Sequence, residues 1–347
     1  MNQMDCIFCT LFDSNYLDKG LVLFDSMKRC MSEFKLYVIA FDDRCYEVLT
    51  KLNYRELIPI SLQEFESEEL KKVKKERTRA EYCWTCSSWS IRYVLEKFKE
   101  SICTYIDADM MFFSSPQFVF DKMRAQKCST IIVPHRFATQ EEERKAHDRV
   151  GSYCVEFNTF LNDKNGLEAL NWWSDNCLKW CFYAKPGTTV WYGDQKYLNV
   201  FPDKFKGVMI CNDLGVGLAP WNINLIEYDQ TIKGIPYIKS KKNGTSQPIV
   251  IYHFENVVYL TEHIINGSTR TNSKSLKRAI YDPYIYRLID KRIEIENQFN
   301  FKMSKAKRVV TKNLIMSFYQ KYISPIRRIK HVSDLYFVRG NYEDISK

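Results

Sequence analysis

Tyr105-Ile106-Asp107-Ala108-Asp109-Met110-Met111-Phe112-Phe113 is the stretch on which the reading of this chain turns. Residues 102–106 are apolar, aromatic or β-branched, the composition of a central strand covered on both faces in a parallel sheet. Two carboxylates follow, one residue apart, where that strand runs out. In open α/β sheets this is the edge that binds ligands. Alternate residues of an extended chain point the same way, so Asp107 and Asp109 can reach one site. Two neighbouring anions repel, and a divalent cation that also holds a diphosphate relieves the repulsion. The same tripeptide also suits an ordinary turn, because Asp side chains bond readily to nearby backbone.

Working outward, residues 6–11 read as a strand, Phe12-Asp13-Ser14-Asn15-Tyr16 as a polar turn, and 17–31 as a helix. Strands are expected at 34–41 and 57–60. Ser61 with Glu64 resembles a capping box that starts a helix. Residues 66–79 are densely charged and read as a solvated helix or loop, and 81–98 is helical. Further strands are expected at 129–133, 153–161, 207–211 and 249–254, with Trp172, Trp173 and Trp180 on a helix among them. This alternation predicts an α/β fold: a single Rossmann-like, mostly parallel sheet flanked by helices.

At 347 residues the chain can form one large α/β domain, expected over 1–265, with a basic helical extension over 266–347. The first residues, Met1-Asn2-Gln3-Met4-Asp5, lack the basic and apolar regions of a signal peptide. No apolar run approaches the length of a membrane span. The expected location is therefore the cytoplasm, where disulfides do not persist. The Cys6/Cys9 pair faces opposite sides of a strand and Cys83/Cys86 one side of a helix. Both read as buried, reduced thiols. Of the net charge of +9, residues 301–347 supply +8, from eleven basic and three acidic side chains. The remainder is nearly neutral, which disfavours nucleic-acid binding by the main domain.

With these elements in order, the chain resembles the GT-A glycosyltransferases, and within them the retaining family of glycogenin and the bacterial lipopolysaccharide galactosyltransferases. The resemblance spans about residues 4–262. It rests on the first strand with Asp13-Ser14-Asn15-Tyr16, then Asp107-Ala108-Asp109, Phe157-Asn158-Thr159, Gly193-Asp194-Gln195 and Tyr252-His253-Phe254. It implies a metal-dependent enzyme that moves a sugar from a nucleotide-diphosphate sugar, a UDP-sugar by expectation, to a glycan or lipid-linked acceptor in surface polysaccharide or lipopolysaccharide synthesis. Asp107, Asp109 and His253 would bind Mn²⁺ or Mg²⁺, a set of oxygen and nitrogen ligands that suits Mn²⁺. Thr10, Asp13, Asn15, Tyr16, Arg79 and Asp107 would meet the donor nucleotide. Asp194, Gln195 and Asn158 would lie beside the sugar and acceptor. Trp191, Tyr192 and Trp221 offer flat faces for sugar rings, or ordinary packing.

The chain departs from the family after His253, where Glu255-Asn256-Val257-Val258 replaces a Gly and a Lys that would contact the diphosphate. Another cation must serve, with Arg77, Arg79 and Lys196 as candidates. Beyond Lys305, Val310, Leu314 and Phe318 recur every four residues opposite Lys305, Arg308, Lys312 and Lys321. Such a basic amphipathic helix either lies on the anionic inner face of the membrane or covers the domain. A nucleotidyltransferase would share the carboxylates, but needs a Gly-rich basic loop after the first strand, absent at Phe12-Asp13-Ser14-Asn15. A non-catalytic peripheral membrane adaptor would not need the carboxylates.

Overall fold

The computed structural model describes residues 6–183, 193–261, 264–303 and 334–337. Trp191, Tyr192 and the amphipathic stretch from Lys305 to Tyr322 lie outside them. Alternating strands and helices build the first part. β1 (Ile7–Phe12) leads through a short 3-10 turn into α1 (Leu17–Cys30), then β2 (Lys35–Ala40), α2 (Asp43–Leu52) and β3 (Leu57–Ser61). A short helix α3 (Leu62–Phe65) precedes the charged segment, which itself forms the short helix α4 (Glu68–Lys74), and buried Phe65 and Leu70 anchor the two. Ser61 caps α3 by accepting from the Glu64 amide at 3.1 Å. A two-way capping box instead starts α5 (Arg79–Lys97), where Thr78 and Glu81 bond each other's backbone amides.

α5 feeds β4 (Ile102–Ile106), and a tight turn carrying both aspartates leads to β5 (Met110–Phe112). There follow α6 (Gln117–Ala125), β6 (Thr130–Pro134), α7 (Gln140–Arg149), β7 (Tyr153–Leu161), α8 (Lys164–Lys179), the single turn α9 (Phe201–Lys204) and β8 (Val208–Ile210). The main sheet has the order β3-β2-β1-β4-β7-β6-β8. Only β7 runs against its neighbours, so the sheet is mostly parallel, and β4 sits at its middle. Trp173 on α8 is fully buried beneath it. The cysteines are all free thiols and most are buried.

The second part starts with an antiparallel meander of β9 (Ile226–Ile232), β10 (Ile235–Ser240) and β11 (Ser246–Pro248). The strand expected over 249–254 is only β12 (Ile251–His253). It stands outside the main sheet, paired antiparallel with β5 so that His253 lies opposite Met110. β13 (Val258–Thr261), β14 (Ile264–Asn266), the single turn α10 (Lys274–Leu276) and α11 (Asp282–Phe299) follow. α11 packs along α1. A second apolar core, with Tyr252, Phe254, Tyr281 and Tyr284 fully buried, joins this layer to the first. The basic extension is not helical throughout: β15 (Leu335–Phe337) returns to pair with β14. Asp334, just before it, is held by Lys277 at 2.9 Å. No helix among the described residues is long and apolar enough to cross a membrane.

Candidate active site

The site forms where β1 and β4 end. β4 stops at Ile106, and the chain turns through Asp107-Ala108-Asp109 because β5 must pair with β12 rather than continue the main sheet. That pairing, reinforced by the Phe254 amide donating to the Asp109 carbonyl at 2.8 Å, brings His253 onto the turn. Its Nε2 lies 3.2 Å from Asp109 Oδ1 and 3.8 Å from Asp107 Oδ2. Its Nδ1 lies 3.0 Å from Glu156 Oε2, on β7 and fully buried. Asp107 also accepts from the Tyr105 hydroxyl at 2.8 Å.

Lys19 completes the cluster. It stands in the first turn of α1, is buried, and places Nζ 3.6 Å from Asp109 Oδ2 and 4.2 Å from the centre of the Tyr16 ring. The neighbouring Gly20 permits this, since a Cβ there would come within 2.4 Å of the Phe12 ring. Beneath it, buried Asp18 meets Arg292 from α11 at 3.4 Å.

The electrostatics divide the two aspartates. Burial pushes the Asp107 carboxyl up to about 7, against the pull of His253. Burial would also raise Asp109, but Lys19 and then His253 outweigh it and hold Asp109 well below the usual range. Burial opposes a charged His253, yet Asp109, Glu156 and Asp107 overcome that and keep its imidazolium well above the ordinary value. These groups make ion pairs with one another, and no trio of His, Cys, Asp or Glu among the described residues is disposed to hold a metal ion.

Two cavities meet at this cluster and share Trp84, Tyr105, Asp107 and His253. The larger, about 760 Å³, is lined by Asp13, Asn15, Tyr16, Lys19, Arg79 and Arg292 among others. Asp13 caps the turn before α1 and pairs with Arg79 at the start of α5. The smaller, about 390 Å³, is lined by Asp194, Gln195, Trp221 and His135 among others. Asp194 is 4% exposed and accepts from Ser87 Oγ at 2.5 Å. Burial, with Asp107 nearby, lifts its carboxyl to about 7 although Ser87 pulls it down.

The structure therefore brings Asp13, Asn15, Tyr16, Arg79, Asp107, Asp109, Asp194, Gln195 and His253 to one pair of cavities. Two expected residues do not line them. Thr10 is fully buried within β1, and Asn158 is fully buried on β7 with neither amide atom bonded among the described residues. Of the cations expected to replace the missing Lys, Arg77 is taken up by Thr85 and the Leu178 carbonyl. Lys196 lines neither cavity, whereas Arg79 lines the larger. Lys19, Glu156 and Arg292 escaped the sequence reading. Glu156 had a signal, an acid in an apolar strand two residues from Asn158 and so on its face.

No family model matches the chain. Among curated proteins, it is 29% identical over 295 residues to the uncharacterized protein YfnD of Bacillus subtilis (strain 168), covering 84% of this chain and 91% of that one. It is 27% identical over 310 residues to the uncharacterized protein YfnF of the same strain, covering 86% and 97%. Among solved structures it is similar to the galactosyltransferase LgtC in complex with donor and acceptor sugar analogs. That match has TM-score 0.49 and 11% identity, over 81% of this chain and 95% of that one. A second similarity is to the glycosyltransferase GlyE of Streptococcus pneumoniae TIGR4, with TM-score 0.46 and 14% identity over 86% of this chain. The chain spans 64% of GlyE's length. At such distances the site's chemistry must rest on its own residues.

Proposed function

We propose that the protein is a metal-dependent glycosyltransferase that moves a sugar from a nucleotide-diphosphate sugar, a UDP-sugar first, to a glycan or lipid-linked acceptor. The observation that carries this reading is the convergence of Asp107, Asp109 and His253 where two cavities meet. The donor set suits Mn²⁺ or Mg²⁺: two carboxylates, with an imidazole whose second nitrogen is engaged by a buried carboxylate. The local balance also favours a cation. Among the described residues, Asp107, Asp109, Glu156 and Asp194 face Lys19, His253 and, at Glu156, Arg136, so carboxylates remain in excess, and Glu156 Oε1 is buried with no hydrogen-bond partner.

Asp107, Asp109 and His253, which here pair with one another rather than stand around an ion, would have to part to hold it, and the ion when bound would supply positive charge to the departing diphosphate. Asp13, Asn15 and Tyr16 would border the nucleotide in the larger cavity, and Thr10 would support that loop from within β1. Lys19 and Arg79 offer the cations that the sequence lacks after His253, aimed at phosphate charge. Asp194 and Gln195 would act in the smaller cavity, Asp194 by holding sugar hydroxyls or by stabilising charge growing on the ring. Asn158 would steady that wall from behind. Transfer with retention, and a role in surface polysaccharide or lipopolysaccharide synthesis, follow from the resemblance alone. A screen of nucleotide sugars for thermal stabilisation, with and without Mn²⁺, tests the donor class. The expected result is stabilisation by UDP-sugars that depends on the ion, and indifference to every nucleotide sugar would refute the reading.

A further inference from the structure

A third cavity, about 720 Å³, shares no lining residue with the two described above. It opens beside Met111–Ser115, at the far end of β5 from His253, and at the far end of α1 from Lys19. Ten residues of helix separate Lys19 from Arg29, about 15 Å at 1.5 Å per residue. Four cations line it, each from a different segment. They are Arg29 in the last turn of α1, Lys233 at the tip of the β9–β10 hairpin, Arg278 before α11 and Arg287 on α11. No Asp or Glu among the described residues lines it.

The ordinary explanation for each cation is incomplete. Arg29 suits a helix C-terminus, where the backbone dipole favours positive charge, and it donates to the Asp25 carbonyl at 3.1 Å. That accounts for one of the four. Solvated surface cations are common in this molecule, but the neighbouring Lys291, one turn beyond Arg287, meets a carboxylate, Asp25, at 2.9 Å. Lys233 is placed against local preference. It and Gly234 form a two-residue turn with φ of 49° and 78°, and such a turn favours Asn-Gly over Lys. Arg29 feels the convergence, for burial first and Arg287 second hold its guanidinium below the usual value. Four like charges around one hollow repel unless an anion enters. Ser114, Ser115 and Thr231 add hydroxyls to the lining.

We propose that this cleft is a second binding site, remote from the catalytic cavities, for a phosphate-bearing ligand. Two sources share that chemistry, a soluble phosphate ester and an anionic lipid headgroup. Inorganic pyrophosphate by calorimetry and phosphatidylglycerol vesicles by co-sedimentation tell them apart. The full chain, the double variant Arg278→Glu/Arg287→Glu and Lys19→Ala are compared. Both arginines are exposed, so circular dichroism should show an unchanged fold. If it does not, Lys233→Glu at the open hairpin tip replaces the pair.

Binding to at least one probe should weaken by about tenfold or more on charge reversal, because charge-assisted bonds to phosphate are the strong ones. Binding should survive in Lys19→Ala. Pyrophosphate binding of this kind identifies a soluble ligand, and vesicle binding alone identifies a headgroup. The basic residues beyond 301 would attract anionic vesicles by charge alone, so only loss upon reversal in the cleft counts. The proposal is overturned if neither probe binds, if reversal leaves binding unchanged, or if Lys19→Ala abolishes it.

Discussion

Asp109 is contested by two cations, Lys19 on one oxygen and His253 on the other. Replacing Lys19 with Met should weaken UDP binding by about 1.5–3 kcal/mol, the range for hydrogen bonds to charged groups, as read by calorimetry in Mn²⁺. Undiminished affinity would remove Lys19 from the phosphate site. Asp194 is proposed to act on the sugar rather than the phosphates, and two measurements separate the roles. Asp194→Asn should leave UDP affinity nearly unchanged while transfer falls by about 10²–10³-fold, the scale of losing one electrostatic contact to a transition state. Its folded carboxyl sits near 7, above its value in the unfolded chain. Its stabilising contribution is therefore full below about pH 4 and is lost as pH rises towards 7. The Asn variant should melt higher than the parent at pH 8 and lose that advantage near pH 4. Equal melting differences at both pH values would contradict a buried, neutral Asp194. The two aspartates were legible because strand-end spacing is local. Lys19 was not, because only the packing of α1 against β5 brings it to Asp109.

The β5–β12 pair is the element that makes the site. The sequence pointed to a strand at 249–254, and within it β12 (Ile251–His253) ends on the histidine. What the alternation of apolar residues could not convey was its partner, since a buried run is equally compatible with a main-sheet strand. Ser26 on α1 fixes the far end of this pair. It is fully buried, donates to the Leu23 carbonyl at 2.6 Å and accepts from the Phe112 amide at 3.0 Å. Ser26→Ala should cost about 1–3 kcal/mol by leaving that amide unsatisfied. Urea unfolding would measure it, and a change below a few tenths would show that the contact does not anchor β5.

Across the whole molecule, the α/β order and the mostly parallel sheet could be read from strand and helix periodicities, which are local. The second layer could not, because β13, β14 and β15 join residues some seventy positions apart. The return of residues 334–337 means the chain beyond Asn300 is partly built into the domain. Asp334→Ala leaves Lys277 and Thr269 without their buried partner and should destabilise by about 3–5 kcal/mol, seen as a lowered thermal midpoint. An unchanged midpoint would mean that β15 is dispensable. The central claim, that Asp107, Asp109 and His253 serve metal-dependent use of a nucleotide sugar, is tested most directly by hydrolysis of UDP-sugars. The full chain should release UDP in Mn²⁺ and stop when a chelator is added, and Asp109→Ala should be inactive while keeping its fold. Full turnover in chelator, or in Asp109→Ala, would contradict the account.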